Sequence, residues 1–568
     1  MRKSSFAPGI VFVVFALVLP AIIFAQQNRS ARRTTDPNRS ASSTTPGGRT
    51  AATAPAIKSD LSEALAVIQT NHIDGRNLDY NNIFKTSISG MLSVLDPHST
   101  YFDPAEYASF RTEQRSEYFG IGATIEDLRE GADVNTYIRA TFPDSPAARA
   151  GLRFGDRILA VDGNSMRGKT YPEVRKHLLG ARGTTVKVTV EHPATKATET
   201  VNIVRDAVSL PSIAQAYMLR PGVGYVAMTG GFNLTTDDEF GEALRQLHSR
   251  GMNMLVLDLR GNRGGLLIQA VRVANRFLQR GQMIVTQKGR IKDSTQPYAA
   301  VNENPDNVPV VVLVNGDTAS AAEIVAGALQ DHDRALIVGE TTFGKGLVQF
   351  PFQLDYDSAL LLTIAKYYTP SGRLIQRDYS NGGNYDYYFP GGLAADKNNQ
   401  QKTQQNGPQS TTDTGRAVYG GGGISPDEVI KPGTISAAER HLRDILFAFS
   451  LELISGRVPG FESYTIQRAI EFDHDLVNDD YPITDPLFQA LKKFAASKGI
   501  FKVTPDQLDK SRAFAERQLR YNVLSAAYGY RTATQVFNDG DPQIGKAVDA
   551  MPRARELAQA ASRARARG

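Results

Sequence analysis

The chain has no cysteine. That excludes disulfides, thiolate metal sites, a cysteine nucleophile and a lipid-modified cysteine anchor. It also lacks a strong charge of either sign. Its 568 residues carry a net charge of +5, and their distribution leaves no nucleic-acid footprint. No internal repeat is present. No Ser-x-x-Lys occurs, which argues against a penicillin-binding or class A β-lactamase site. His98 has no partner histidine or acid set at metal spacing and reads as structural, so neither a metal nor a cofactor is expected. What is there is a globular composition, 41% apolar and 22% charged, in a chain long enough for roughly three or four domains.

A long hydrophobic run is missing too. The apolar stretch Ile10 to Phe24 covers 15 residues and contains Pro20, whereas a membrane-spanning helix needs about 20. Arg2 and Lys3 precede it and Ala25-Gln26 follows. A basic start, a short apolar run and a small residue describe a secretory signal. Residues 1–25 therefore read as a signal peptide cleaved near Ala25, although Ile23 is not ideal for cleavage. The alternative is a retained inner-membrane anchor. Both place the bulk of the chain in the periplasm or outside the cell. Residues 26–57, rich in Ser, Thr, Ala, Arg and Pro, cannot bury enough apolar surface to fold and read as a disordered linker.

Four further regions follow. Residues 58–110 carry helical apolar spacing at Leu61, Leu65 and Ile68, then at Ile83, Ile88, Met91, Leu92 and Leu95. Asp96-Pro97 ends the second run, because proline biases the preceding residue away from helix. Residues 111–206 are short strands with tight turns and two short helices. In 207–435, strands alternate with helices, which implies a largely parallel sheet. Within it, 381–423 is a flexible insertion rich in Asn, Gly, Gln, Tyr and Thr. Residues 436–568 are helical, and the arginine- and alanine-rich end from Arg553 is expected to fray. The whole is a multidomain α+β chain.

Two residues stand out between Asn315 and Gln349. Ser320 sits where the apolar strand Val310 to Val314 hands over to a helix. It would see the unpaired N–H groups and positive dipole end of that helix, but serine is also a favoured N-cap. Lys345 lies between Gly344 and Gly346, beside Phe343, Leu347 and Val348. Burial would lower its pKa and let it act as a base, yet a lysine between glycines is ordinarily a solvated turn. His332 is 12 positions past Ser320, about 18 Å along a continuous helix, which makes it a poor base; the other histidines sit in no recognisable triad context, and a histidine base stays open.

Combination changes the reading. Tyr118-Phe119-Gly120-Ile121-Gly122-Ala123, with Ser145-Pro146-Ala147-Ala148-Arg149-Ala150-Gly151-Leu152 and Gly155-Asp156-Arg157-Ile158-Leu159-Ala160-Val161-Asp162-Gly163, resembles a PDZ domain. The resemblance implies that tails bind by strand addition, with the carboxylate at the loop Phe119, Gly120, Ile121 and Gly122. Gly316 to Glu323, Gly339 to Gly346 with Gln349, Asp258 to Gly265, Asp96 to Phe102 and Gly423 to Asp427 together resemble the C-terminal processing peptidases, or tail-specific proteases. That resemblance implies an α/β serine-peptidase core beside the PDZ domain, a helical segment before it and a helical region after it. It makes Ser320 the nucleophile, Lys345 the general base and Gln349 the residue that orients the lysine. The oxyanion hole would use backbone N–H groups of Ala321 and of Gly264 or Gly265. Ala322 departs from the serine often found there, a tolerable change. The implied activity is extracytoplasmic endopeptidase cleavage near the C-termini of captured protein tails. The competing reading is a PDZ-based binding or regulatory protein on an inactive protease scaffold. A regulatory or adaptor partner, a homodimer and membrane association through the N-terminus stay open. The insertion and the helical tail have no role that the motifs explain.

Overall fold

The computed structural model describes residues 53–291, 294–379 and 407–566. The expected signal or anchor and most of the linker lie outside the described residues. So does the insertion from 381 to 406. Helix α1 (Ala54–Asn71) begins inside the expected linker, with a proline in its first turn that presets helical φ. It buries none of its side chains. Helix α2 (Tyr80–Ser93) follows, capped by Asp79. The sequence predicts a helical segment over 58–110 broken at Asp96-Pro97; beyond that break Thr100–Phe102 form strand β1 ahead of helix α3 (Pro104–Glu113). No helix among the described residues is long and apolar enough to cross a membrane.

An antiparallel module comes next. It contains β2 (Glu117–Gly120), β3 (Ala123–Glu130), β4 (Asp133–Thr141), α4 (Pro146–Arg149), β5 (Arg157–Val161), β6 (Asn164–Ser165), α5 (Tyr171–Leu178), β7 (Thr185–Glu191), β8 (Thr198–Val204) and β9 (Asp206–Ser209). Its sheet runs β3-β4-β5-β7-β8, with β3 on one edge, while β2 pairs separately with β9. Alternating Val186, Val188 and Val190 point into its core with Ile138, Ile158 and Val174.

The central sheet has the order β10-β11-β12-β15-β16-β21. Its strands are β10 (Gln215–Arg220), β11 (Val223–Ala227), β12 (Met254–Asp258), β15 (Val310–Val314), β16 (Ala335–Gly339) and β21 (Glu428–Val429). All neighbours are parallel except β10 and β11, as the alternation of elements predicts. β11, β15 and β16 are buried at every residue, which is why they read as unbroken apolar runs. Helices α6 (Thr236–Ser249), α7 (Leu267–Asn275) and α8 (Ala321–Asp331) cover one face. A second sheet, β1-β18-β13-β14, has β17 paired to β18. It comprises β13 (Met283–Gly289), β14 (Gln296–Ala299), β17 (Leu347–Gln353) and β18 (Ala359–Tyr368).

Composition placed residues 407–423 in the flexible insertion. They instead form a packed hairpin, β19 (Gln409–Thr411) against β20 (Ala417–Tyr419). Arg416 anchors it through Asp333 at 2.6 Å and Asp427 at 2.5 Å.

The helical tail does two jobs. Helices α9 (Ala437–Ile454), α10 (Asp485–Ser497), α11 (Pro505–Lys510) and α12 (Arg512–Asn538) share one hydrophobic core with Leu128, Tyr137 and Phe154 of the antiparallel module. Arg139 lies 4.0 Å from the centre of the Phe447 ring and donates to the Asn522 side chain at 2.8 Å. Helices α13 (Pro542–Asp549) and α14 (Met551–Arg565) cover the second face of the central sheet with Ile544, Ala547, Met551 and Ala554. The expected fraying from Arg553 does not occur. Ala554 and Ala561 are fully buried, and Arg553 pairs with Glu428 at 2.9 Å. Small side chains let that helix lie close on the sheet.

Phe447 packs edge-on against both Tyr137 and Phe154, so it joins tail and module. Phe447→Ala should cost about 3–5 kcal/mol, read as a lowered urea midpoint of the full chain. An unchanged midpoint would show that this shared core does not hold the module.

Candidate active site

Ser320 occupies the turn between β15 and α8, with φ +56° and ψ −118°. A non-glycine residue rarely adopts positive φ, and such backbone persists only where its surroundings over-determine it. Here the surroundings are explicit. The Ser320 N–H donates to Glu323 at 2.8 Å, Thr318 donates its hydroxyl to Leu259 O at 2.9 Å, and Ala319 N–H donates to Asn262 O at 2.8 Å.

Glu323 is completely buried. One of its oxygens accepts from the Thr342 hydroxyl and from Gly344 N–H at 2.7 Å. The other accepts from Ser320 N–H and Lys345 N–H, each at 2.8 Å. Burial pushes this carboxyl up to about 7, while the four donors pull the other way. The Tyr367 hydroxyl adds a second tie, 3.0 Å from Ser320 O and 2.6 Å from Lys345 O.

Lys345 directs its amine away from solvent. Nζ donates to Gln349 Oε1 at 2.7 Å, and Gln349 Nε2 donates to His98 O at 2.7 Å. A straight strand would hold residues 345 and 349 about 13 Å apart. Here β17 starts only at Leu347, its register shifts between Val348 and Gln349, and the two long side chains meet at their tips. Burial lowers the Lys345 amine to about 8, partly opposed by Asp96 and Glu323. No hydrogen bond joins the Ser320 hydroxyl to this amine among the described residues, so the two are neighbours in one cradle rather than a preformed pair.

The glycine loop faces Ser320. A side chain on Gly264 would meet Ser320 Cβ at 2.7 Å and Ala321 N at 2.9 Å, so only glycine fits. Its own N–H is committed to Asn262 Oδ1 at 2.9 Å. Gly265 has φ +142° and bridges Phe232. Phe232 bonds to Gly264 O and Leu266 N, which turns the Gly265 N–H the opposite way. The Ala321 N–H, at the first turn of α8, belongs to the unpaired set of a helix start.

The PDZ-type loop lies on the antiparallel module, apart from this cluster. Phe119 and Gly120 end β2, opposite Ala207 and Asp206. Ile121 is buried and its carbonyl accepts from Ala147 N–H at 2.7 Å. Gly122 turns the chain into edge strand β3. His332 caps the far end of α8, bonded to Asp413 and Met283 O, and takes no part. Among the described residues no cluster of His, Cys, Asp and Glu is arranged to hold a metal ion.

Reading residues one by one missed three contributors. Glu323 completes a Ser-x-x-Glu capping pattern with Ser320, a visible signal whose reach to Lys345 was not visible. Asp96 accepts from His98 N, Ser99 N and the hydroxyls of Ser99 and Thr363, which brings His98 O to Gln349. Burial lowers His98 to about 3, so its ring is neutral. No local pattern announces this pairing.

Comparisons agree on both modules. A family model described as Peptidase family S41 matches residues 222–387, and a PDZ domain model matches residues 138–192. A carboxy-terminal-processing protease of Bartonella bacilliformis is 37% identical over 304 residues, 52% of this chain and 68% of that protein. The carboxy-terminal processing protease CtpA of Bacillus subtilis is 33% identical over 332 residues, 58% of this chain and 69% of that protein. A solved photosystem II D1 C-terminal processing protease is 32% identical, with 55% of this chain and 88% of that one covered and a TM-score of 0.32.

Competitive acylation of the full chain, read by mass spectrometry across pH, should give Lys345 a midpoint near 8. Asp96→Asn removes a carboxylate that favours the ammonium and should move the midpoint lower. A midpoint near the ordinary 10.5 would mean that the amine is solvated.

Proposed function

The chain belongs to peptidase family S41, among its carboxy-terminal-processing proteases, and from that premise we propose that it cuts extracytoplasmic proteins near their C-termini with a Ser320–Lys345 dyad. Its PDZ domain, taken as 111–206, captures the tail, and the peptidase core, taken as 207–435, cleaves it. The observation that carries this reading is the Lys345 amine, lowered by burial to about 8 and bonded to Gln349 inside the cradle that Glu323 shares with Ser320.

Ser320 Oγ attacks the scissile carbonyl while neutral Lys345 takes its proton. The resulting ammonium returns a proton to the leaving amine, and a water activated by the same lysine releases the acyl group. Gln349 orients the amine and is itself held by the His98 carbonyl. The oxyanion is met by the N–H groups of Ala321 and Gly265. Gly264 contributes space rather than a donor, since its N–H is committed to Asn262. Because the amine rests on Gln349, alignment with Ser320 is completed when substrate enters. Strand β3, an edge of its sheet beside α5, is the place where an extended tail adds as a further strand, its carboxylate at Gly120–Gly122. The extracytoplasmic location rests on Arg2, Lys3 and the apolar run to Phe24.

The test is a reporter protein with a free C-terminal tail. Ser320→Ala and Lys345→Ala should each lose about 10³-fold or more in kcat while keeping their fold by circular dichroism. Cleavage persisting in either variant would sink the dyad. Since only the neutral amine accepts a proton, kcat/KM should rise with pH through about 8 and then level. Amidating the reporter's C-terminus should raise KM, and an unchanged KM would remove the PDZ carboxylate from the reading.

A further inference from the structure

The glycine loop leaves the central sheet at Arg260, and the Arg260 side chain is gripped from two sides. On one side, Nε lies 2.9 and 3.0 Å from the two Asp258 oxygens, and Nη2 donates to Oδ2 at 2.6 Å. Asp258 also takes the Tyr225 hydroxyl at 2.8 Å and the Arg260 N–H at 2.9 Å. On the other side, Nη1 donates to Asp541 Oδ2 and to Gln543 Oε1, each at 2.7 Å. Those two residues belong to the tail. Asp541 caps α13 with its remaining oxygen, and Gln543, fully buried, donates to Ile430 O at 2.8 Å. Burial works against the Arg260 charge, but Asp258 and Asp541 more than offset it and raise its pKa.

Beyond Arg260 the loop has little slack. Gly261 N–H donates to Asn315 Oδ1 at 3.0 Å, and Asn262 Nδ2 donates to Met228 O at 2.6 Å. Asn262 Oδ1 then holds Gly264 N–H. A shift at the first residue is therefore passed to Gly264 and Gly265, which face Ser320. A displacement of about 1 Å in such a site costs on the order of 10²-fold in rate. Mere anchorage of α13 does not require this contact, because Lys546 already ties the helix to Glu428 of the sheet at 2.7 Å. The same tail reaches the antiparallel module through α12, where Asn522 meets Arg139.

We propose that Asp541 and Gln543 are positioning residues of the peptidase: they hold Arg260, and through it the glycine loop that presents the Gly265 N–H to the oxyanion. The helical tail is thus part of the catalytic apparatus. This role presupposes the Ser320–Lys345 dyad proposed above.

The experiment uses the full chain and a fluorogenic peptide with a free C-terminal tail, together with a peptidyl boronate that forms a tetrahedral adduct on the serine. Asp541→Asn keeps the helix cap but loses the charge, and Asp541→Asn/Gln543→Leu removes both contacts. The expected result is a fall in kcat of about 3–10-fold for the single and about 10–100-fold for the double variant. KM should stay within about twofold, and boronate affinity should fall in step with kcat. Lys546→Ala, which loosens the same helix without touching Arg260, should keep wild-type kcat. Wild-type kcat in Asp541→Asn and in the double variant would overturn the proposal. So would an equal loss in Lys546→Ala, or boronate affinity that does not follow kcat. Cleavage that survives Ser320→Ala would instead overturn the dyad on which it stands.

Discussion

One buried carboxylate fixes the relation between Ser320 and Lys345. Glu323 takes the N–H groups of Ser320 and Lys345 on one oxygen, and the Gly344 N–H and Thr342 hydroxyl on the other. A buried charge without partners would cost several kcal/mol, whereas hydrogen bonds to a charged group are among the stronger ones. All of its acceptor capacity is directed at backbone and at one hydroxyl. None is directed at the Lys345 amine, so burial outweighs the through-space pull of Asp96 and Glu323 and the amine drifts toward its neutral form. The same group that places the lysine thus refrains from ion-pairing with it.

Distant segments reach the site by a small number of such ties. The Asp96 loop is sewn to β18 by Ser99 and Thr363 and delivers the His98 carbonyl to Gln349. The late motif donates Ile424 N–H to Thr342, which in turn bonds Glu323. Asn262 carries the glycine loop to Ala319, one residue before Ser320. Each motif that stands apart in the chain meets the others within one hydrogen-bonded cluster, and the tail joins it at Arg260.

Much of this was legible in the residues. The unbroken run Val310 to Val314 announced a buried parallel strand and the serine at its end announced a helix start, while Lys345 between its glycines read as a solvated turn until the family resemblance made it a buried base. The partners of those residues were not legible, because hydrogen bonds between positions as distant as 98 and 349 leave no periodic trace. Composition misled in two places. Around 407–423, glycine and threonine concealed Arg416, whose pairing with Asp333 and Asp427 needs the fold to be seen. In the final helix, a sequence of alanines and arginines looked too polar to pack. Alanine on one face, however, is what permits a helix to lie against a flat sheet, while the arginines find acids at its rim.

The coverage of the central sheet also bears on when the enzyme can come into being. One face is closed by helices that lie between its own strands in the chain, but the other waits for Ile544, Ala547, Met551 and Ala554. Until residues beyond Pro542 have been synthesised and delivered, the apolar side chains of Val256, Val311, Leu313 and Leu336 have no cover, and Arg260 has only half its partners. Folding that proceeds from the N-terminus therefore leaves this face of the sheet bare until the helices after Pro542 dock on it. A chain made only as far as Asp541 would hold a central sheet with one bare apolar face, open to the wrong partners until its own last helices arrive.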